Sequence, residues 1–215
     1  MGISVIVLIL ALSCFGCKQA EVTPPDLSSV DVVSPVKETP GFSGPQSEPV
    51  RIKIEKINID EKVDPVGMVN GAMATPPGAL GVSWYKDAGG KYPSPGWSGN
   101  ALLTAHNYFN LVPGTFVDLY KLVVGDSVEF TYADGSKGIF VVKSTKIYGE
   151  NDKDGFANDR IMTNDEETRT TLITCHGDRK DGGGYPQRFV AVLGAVKHVD
   201  ANGEEIPSLS GAQSQ

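Results

Sequence analysis

The stretch TRTTLITCHGDRKDGGGYPQRFVAVLGAV, residues 168–196, reads as two strands joined by a loop. Residues 168–175 are rich in threonine, leucine and isoleucine, and residues 188–196 form a strongly apolar run. Between them lies a segment of glycines, charges and one proline that neither strand nor helix would hold. Working outward, VRIKIEKI (50–57) alternates apolar and polar residues at period two, which places Val50, Ile52 and Ile54 on one face. DSVEFTY (126–132) alternates through Val128 and Phe130, and NALLTAH (100–106) is a short buried run. GIFVVKSTKIY (138–148) is rich in β-branched and aromatic residues, and the Asp134-Gly135 pair before it marks a hairpin turn. GTFVDLYKL (114–122) spaces Phe116, Leu119 and Leu122 three apart, which predicts a short helix. Several short strands with turns between them predict a mainly β domain, a closed barrel in preference to a sandwich.

The chain has 215 residues, 40% of them hydrophobic, enough for one domain with a core of its own and tails on either side. Its net charge of −7 leaves no basic stripe to neutralise phosphates, which excludes nucleic acid as the expected partner. The folded block is expected over residues 50–199. Residues 18–49 are dominated by prolines, serines and acids and are expected to form a disordered spacer, and residues 200–215 a disordered tail of the same character. The first seventeen residues, MGISVIVLILALSCFGC, carry no charged side chain. They are shorter than the ~20 residues of a full span, as in a secretory signal. ALSCFGCK (11–18) is similar to the lipobox of bacterial lipoproteins, with Cys17 or Cys14 as the acylated residue; a short uncleaved anchor is the alternative. Either reading starts the chain at a membrane, with the folded domain on the extracytoplasmic side.

Export gives Cys175 its interest. Stabilising cysteines in an oxidising compartment come in pairs, and Cys175 is the only cysteine beyond residue 17. An unpaired thiol there is either reactive or simply packed, and both readings stand at this point. Three histidines accompany it. His106 ends the 100–106 strand and shares a face with Leu102 and Thr104. His176 follows Cys175 directly and would point to the opposite face if the strand runs on. His198 lies at the far end of the last strand. His106 is therefore the better partner for the thiol, although a lone histidine is more often structural. Arg188 opens the last strand after the glycine-rich loop. Its planar, permanently charged head suits a developing oxyanion, whereas an arginine at a strand mouth is usually only solvated.

These residues together resemble the sortases, cysteine transpeptidases of bacterial surfaces. TLITC (171–175) is similar to the family's TLxTC strand, with Cys175 in the nucleophile position, and TAHNYF (104–109) stands in the place of the histidine motif, with His106. Arg188, after a loop of twelve residues, fits the arginine of the following strand. PGWSGNALLTAH (95–106) and FVDLYKLVVGDSV (116–128) also resemble family sequence, over roughly residues 50–198. VSWY (82–85) and the compact layout are similar to the class D, E and F groups without choosing among them. The resemblance implies an eight-stranded β-barrel with one or two short helices and a monomer. It implies that Cys175 attacks the Thr–Gly bond of an LPXTG-like sorting signal to form a thioacyl intermediate. Arg188 would steady the oxyanion, His106 would protonate the leaving amine, and an amine from cell wall or pilin would accept the acyl group.

Thr104, Thr171 and Thr174 are candidate substrate-binding residues, a role that strand propensity rivals. GENDKDGFANDRIMTNDEE (149–167) falls where the family's substrate-binding loop would lie. Its Glu150, Asp152, Asp154 and Gly155 resemble part of a calcium loop but lack its first aspartate and closing glutamate, so no cofactor is assigned and a solvated acidic loop is expected. Trp84, Tyr85, Trp97 and Met73 read as core or rim packing in preference to a dedicated pocket, with a place lining the peptide groove as the alternative for some of them. Rival functions are an exported cysteine peptidase, in which water resolves the thioester, and a non-catalytic barrel that binds surface peptides. An L,D-transpeptidase is disfavoured because no SxGC-type signature surrounds Cys175.

Overall fold

A computed structural model describes residues 41–43, 46–69, 72–86, 92–163 and 167–207. The expected export segment, all of the spacer before residue 41 and the tail beyond residue 207 lie outside the described residues.

Eight strands carry the domain: β1 Pro49–Ile54, β2 Ile59–Val66, β3 Val82–Tyr85, β4 Asn100–Thr104, β5 Ser127–Tyr132, β6 Lys137–Gly149, β7 Arg169–His176 and β8 Gln187–Val199. They pair in the order β6-β5-β1-β2-β3-β4-β7-β8, and β8 pairs back onto β6, so the sheet closes. Mainly β, closed and eight-stranded, it is the barrel the sequence predicts. Two neighbours are parallel, β2 with β3 and β4 with β7; the other pairs are antiparallel. Closure leaves no exposed edge within the cycle. A glutamate-to-isoleucine turn joins β1 to β2 and ends on Asn58 at φ 53°, a left-handed conformation that asparagine tolerates.

The inward residues follow the period-two reading. Ile52, Ile54, Val128, Phe130, Phe140, Leu172 and Leu193 are buried in one core cluster. Val50 departs from it: a register shift between Pro49 and Arg51 turns it outward, and it is 41% exposed. Trp84, Tyr85 and Trp97 are buried, as expected of packing residues.

The helix expected over 114–122 is instead a run of turns ending in a 3₁₀ segment, Leu119–Lys121. Amides donate three residues back, Val117 to Gly114, Leu119 to Phe116 and Leu122 to Leu119. A spacing of three places Phe116, Leu119 and Leu122 above one another only at three residues per turn, and all three are buried. The one α-helix among the described residues, α1 (Lys153–Asn158), sits in the acidic loop after β6, capped by Asp152, whose Oδ1 accepts from the Gly155 amide at 2.8 Å.

Order also extends beyond residues 50–199 on both sides. Phe42, read as part of the spacer, is buried against Trp97, Tyr132, Phe140 and His198. Glu205–Ile206, read as tail, pairs with His198 and Val199. Proline- and serine-rich composition concealed the single aromatic ring that makes the first of these contacts.

Candidate active site

Cys175 is the penultimate residue of β7, and its direct partner across the antiparallel ladder is Arg188 of β8. Directly opposed residues project to the same face, so the thiol and the guanidinium share one side of the barrel wall. The strand runs on to His176, whose ring packs at 5.6 Å from Tyr120 and 6.0 Å from Phe189. Phe189 belongs to the core, so His176 leans inward at the barrel mouth, the opposite sense to Cys175.

Parallel pairing with β4 delivers His106. The ladder ends at Thr104 opposite Ile173, and Thr104 Oγ1 donates to the Ile173 carbonyl at 2.9 Å. One step on, Thr174 Oγ1 donates to the Ala105 carbonyl at 2.9 Å. These two hydroxyls keep the strand ends together, and the next residues on each are His106 and Cys175. Nε2 of His106 lies 3.0 Å from the Pro76 carbonyl, which can only accept, so this nitrogen carries the proton of that bond. The ring also packs on Phe109, with 5.1 Å between centroids. Among the described residues no hydrogen bond joins His106 to the thiol. Burial pushes the Cys175 thiol up, Arg188 draws it down, and Glu150 pushes it up again; the net direction is upward. These opposing effects hold the Cys175 sulfur toward the thiol form at rest.

Two cavities meet this constellation. The larger, about 610 Å³, is walled by Met73, Thr104, Ile173, Phe156 and Met162, with Arg188 at its polar end. Such volume and apolar lining suit an extended peptide. The smaller, about 280 Å³, is lined by Thr174, Cys175, His176, Tyr120, Asp118 and Asp178 among others. Cys175 thus borders the smaller cavity, while its partner Arg188 borders the larger.

The loop after β6 forms one wall of the larger cavity, and polar bonds hold it. Phe156 packs on Tyr148 at 4.6 Å, and the Tyr148 hydroxyl donates to Asp159 at 2.7 Å. Burial and Asp159 together hold that hydroxyl well above the usual tyrosine range. Asn100 Nδ2 donates to the Ile161 carbonyl at 2.8 Å, and Thr171 Oγ1 donates to Asn100 Oδ1 at 2.8 Å. The three candidate threonines therefore part company. Thr104 lines the larger cavity and Thr174 the smaller, while Thr171 is buried and anchors the loop through Asn100. Met73, read as packing, faces the larger cavity.

The carboxylates that resemble a calcium loop have other work. Glu150 pairs with Lys180 and Arg188, and Asp152 caps α1. Among the described residues no group of three or more histidine, cysteine, aspartate or glutamate side chains is arranged to hold a metal ion. Glu150 was weighed from the sequence only as part of a calcium-like loop, and Asn100 and Tyr148 were not candidates. The polar Asn100 opening an otherwise apolar strand was the one signal available.

Residues 52–196 match the family model of the sortase domain. Among solved structures, the chain is similar to sortase A of Listeria monocytogenes, with 20% identity, a TM-score of 0.50, and coverage of 74% of this chain and 91% of that one. It is similar to a lid mutant of sortase A from Corynebacterium diphtheriae, with 17% identity, a TM-score of 0.52, and coverage of 74% and 75%. A lid mutant of sortase C1 from Streptococcus agalactiae is similar at 19% identity, a TM-score of 0.50, and coverage of 72% and 71%. No curated protein sequence matches the chain. The match to the family model spans more than half of the sequence, and the chain belongs to the sortase family, cysteine transpeptidases that act on sorting signals and amine acceptors.

Proposed function

We propose that this sortase is tethered to the membrane by its N-terminal apolar segment and acts on the extracytoplasmic side. There it cleaves an LPXTG-like sorting signal between threonine and glycine and passes the acyl group to an amine of cell wall or pilin. The observation that carries the reading is the Cys175–Arg188 pairing at the boundary of two cavities.

The peptide lies along the larger cavity with its scissile carbonyl toward Cys175. The Cys175 thiol gives its proton to His106, and the resulting thiolate attacks the carbonyl carbon: a C–S bond forms and the π electrons move onto oxygen. Arg188, fixed in position and always charged, steadies that oxyanion. His106 donates a proton to the glycine nitrogen, the C–N bond breaks, and the amine leaves. The thioester remains on Cys175. An acceptor amine entering by the smaller cavity adds to the thioester carbonyl, gives its proton to His106, and expels the thiolate as the new amide forms. His106 leaves its Pro76 contact to serve this cycle, since its Nε2 is engaged there at rest.

The second cavity favours transfer over hydrolysis, because a peptidase needs no acceptor groove beside its thioester. The test is to incubate the full chain in detergent with an LPXTG-like peptide and an added amine, beside a Cys175→Ala control. Ligated product, absent in the control, supports transfer. Cleaved peptide alone moves the reading to an exported peptidase, and neither product, with a thiol inert to alkylation, to a peptide-binding barrel.

A further inference from the structure

Glu150 is the first residue beyond β6, and the steps above do not use it. Its carboxylate pairs with Lys180, in the loop between β7 and β8, and its Oε1 lies 3.5 Å from Nη2 of Arg188. Its amide donates to the Pro186 carbonyl of that same loop at 2.8 Å. Main chain and side chain of one residue thus tie the exit of β6 to the loop that leads into Arg188. The other arm of the guanidinium, Nη1, donates to the carbonyls of Tyr185 at 3.1 Å and Gln187 at 2.9 Å. Arg188 is therefore steered by two carbonyls of its own hairpin and by one carboxylate from the end of the neighbouring strand, β6.

An exposed ion pair contributes little and fixes nothing. This one differs in two respects. The Arg188 side chain is 28% exposed, so its guanidinium is largely covered even though Glu150 itself reaches solvent. One carboxylate also serves two cations, Lys180 and Arg188. Glu150 and Arg188 border the larger cavity together.

We propose that Glu150 is a positioning residue for acyl transfer. Its carboxylate aims the Nη2 arm of Arg188, offsets the charge of that arm at rest, and through Lys180 holds the β7–β8 loop against the peptide cavity. The proposal rests on the sortase reading. Glu150 does not touch the reacting atoms; it acts through Arg188. The consequence at Cys175 is that the two residues oppose each other, Arg188 favouring thiolate and Glu150 favouring thiol. Lys180 holds the Glu150 carboxyl below the usual range, so it stays ionised wherever the thiol titrates. The other charged or titratable groups around the thiol include Tyr185 from the hairpin, His106 after β4, and Tyr108, Asp118, Tyr120, His176 and Asp178 at the smaller cavity. The variants below leave all of these in place.

The test reads the thiol before any peptide is added, from the pH dependence of its alkylation in the full chain. Glu150→Gln is expected to lower the midpoint, because a negative charge near the thiolate is gone. Lys180→Met is expected to raise it, because the carboxylate then acts unscreened. The double variant is expected to follow Glu150→Gln, since Lys180 works through Glu150. Acylation by saturating peptide should fall roughly tenfold in Glu150→Gln, as Arg188 loses its aim. Glu150→Asp, which keeps the charge on a shorter arm, should restore the midpoint further than the rate. An unchanged midpoint in Glu150→Gln, or simple addition in the double variant, overturns the proposal. Alkylation needs no substrate, so failure to acylate any peptide would count against the sortase reading and leave these midpoints to decide this one.

Discussion

Cys175 and Arg188 stand opposite each other on β7 and β8, one residue from the mouth of a ten-residue loop. The ladder, and not the loop, sets their spacing, so the thiol and the guanidinium are fixed to each other before any substrate arrives. A lysine at 188 would keep the charge but lose the planar fork that bonds Tyr185 and Gln187 with one arm and faces Glu150 with the other. Arg188→Lys is therefore expected to cut the acylation rate roughly 100-fold, in the range of a lost oxyanion donor. Single-turnover acylation at saturating peptide measures it; a rate near wild type would show that charge alone suffices.

Thr174 offers a sharper separation of structure from chemistry. Its buried hydroxyl is the bond to Ala105 that holds the end of β4 beside β7. Thr174→Val keeps the shape and leaves that carbonyl without its partner, at a cost of about 1–3 kcal/mol. Because His106 follows Ala105, activity should fall by more than the folded fraction does. Thr171→Val, which releases Asn100 instead, should loosen the cavity wall and raise KM before it lowers kcat. Denaturation curves and steady-state kinetics on both variants check the contrast.

Far from the nucleophile, Phe42 closes the other end of β8. Its ring stacks on His198 at 4.3 Å between centroids, and its amide donates to the Gly96 carbonyl at 2.7 Å. Gly96 has φ 92°, and a Cβ there would stand 2.3 Å from the Phe42 ring. Phe42→Ala is expected to destabilise the barrel by about 3–5 kcal/mol, the usual cost of emptying a buried aromatic site. Gly96→Ala should destabilise it as well, through the clash and the strained φ. Thermal melts decide whether this residue is part of the domain.

His198 makes the stability of that region depend on pH. Burial holds its imidazole below the ordinary value, with Asp134 offsetting part of the effect, and Nε2 lies 3.2 Å from Ser136 Oγ. A histidine that resists protonation when folded takes its proton more readily when unfolded. Its stabilising contribution is present above the unfolded value of ~6.5 and is lost as pH falls from there through the folded value. His198→Phe should remove this dependence while the carboxylate-linked loss at lower pH persists. Melting temperatures between pH 5 and 8 would show the difference.

The barrel was legible because its strands obey period two, as Val128 and Phe130 do, and because the turn residues between them are chemically distinctive. Where the chain departed from the regular pattern, as in the bulge that turns Val50 outward, alternation alone misassigned the face. Phe116, Leu119 and Leu122 gave the right burial, and the short helix expected there is 3₁₀ and confined to Leu119–Lys121, the tighter winding that a spacing of three fits. At the site, the short-range motifs around Cys175, His106 and Arg188 were readable from local sequence. Glu150 was not, because its partners lie 30 and 38 residues further along the chain and its neighbours are acidic. Phe42 was hidden similarly: its burial depends on residues 97, 132, 140 and 198, which only closure of the barrel brings together.

The central claim is that Cys175 carries the acyl group. Intact-mass measurement of the full chain, quenched in acid after brief exposure to an LPXTG-like peptide without added amine, tests it most directly. A new species is expected that is heavier by the peptide's acyl portion, lost on treatment with hydroxylamine, mapped to Cys175, and absent in Cys175→Ala. Glycine-side product released with no mass added to the chain, or an adduct that persists in Cys175→Ala, would contradict it.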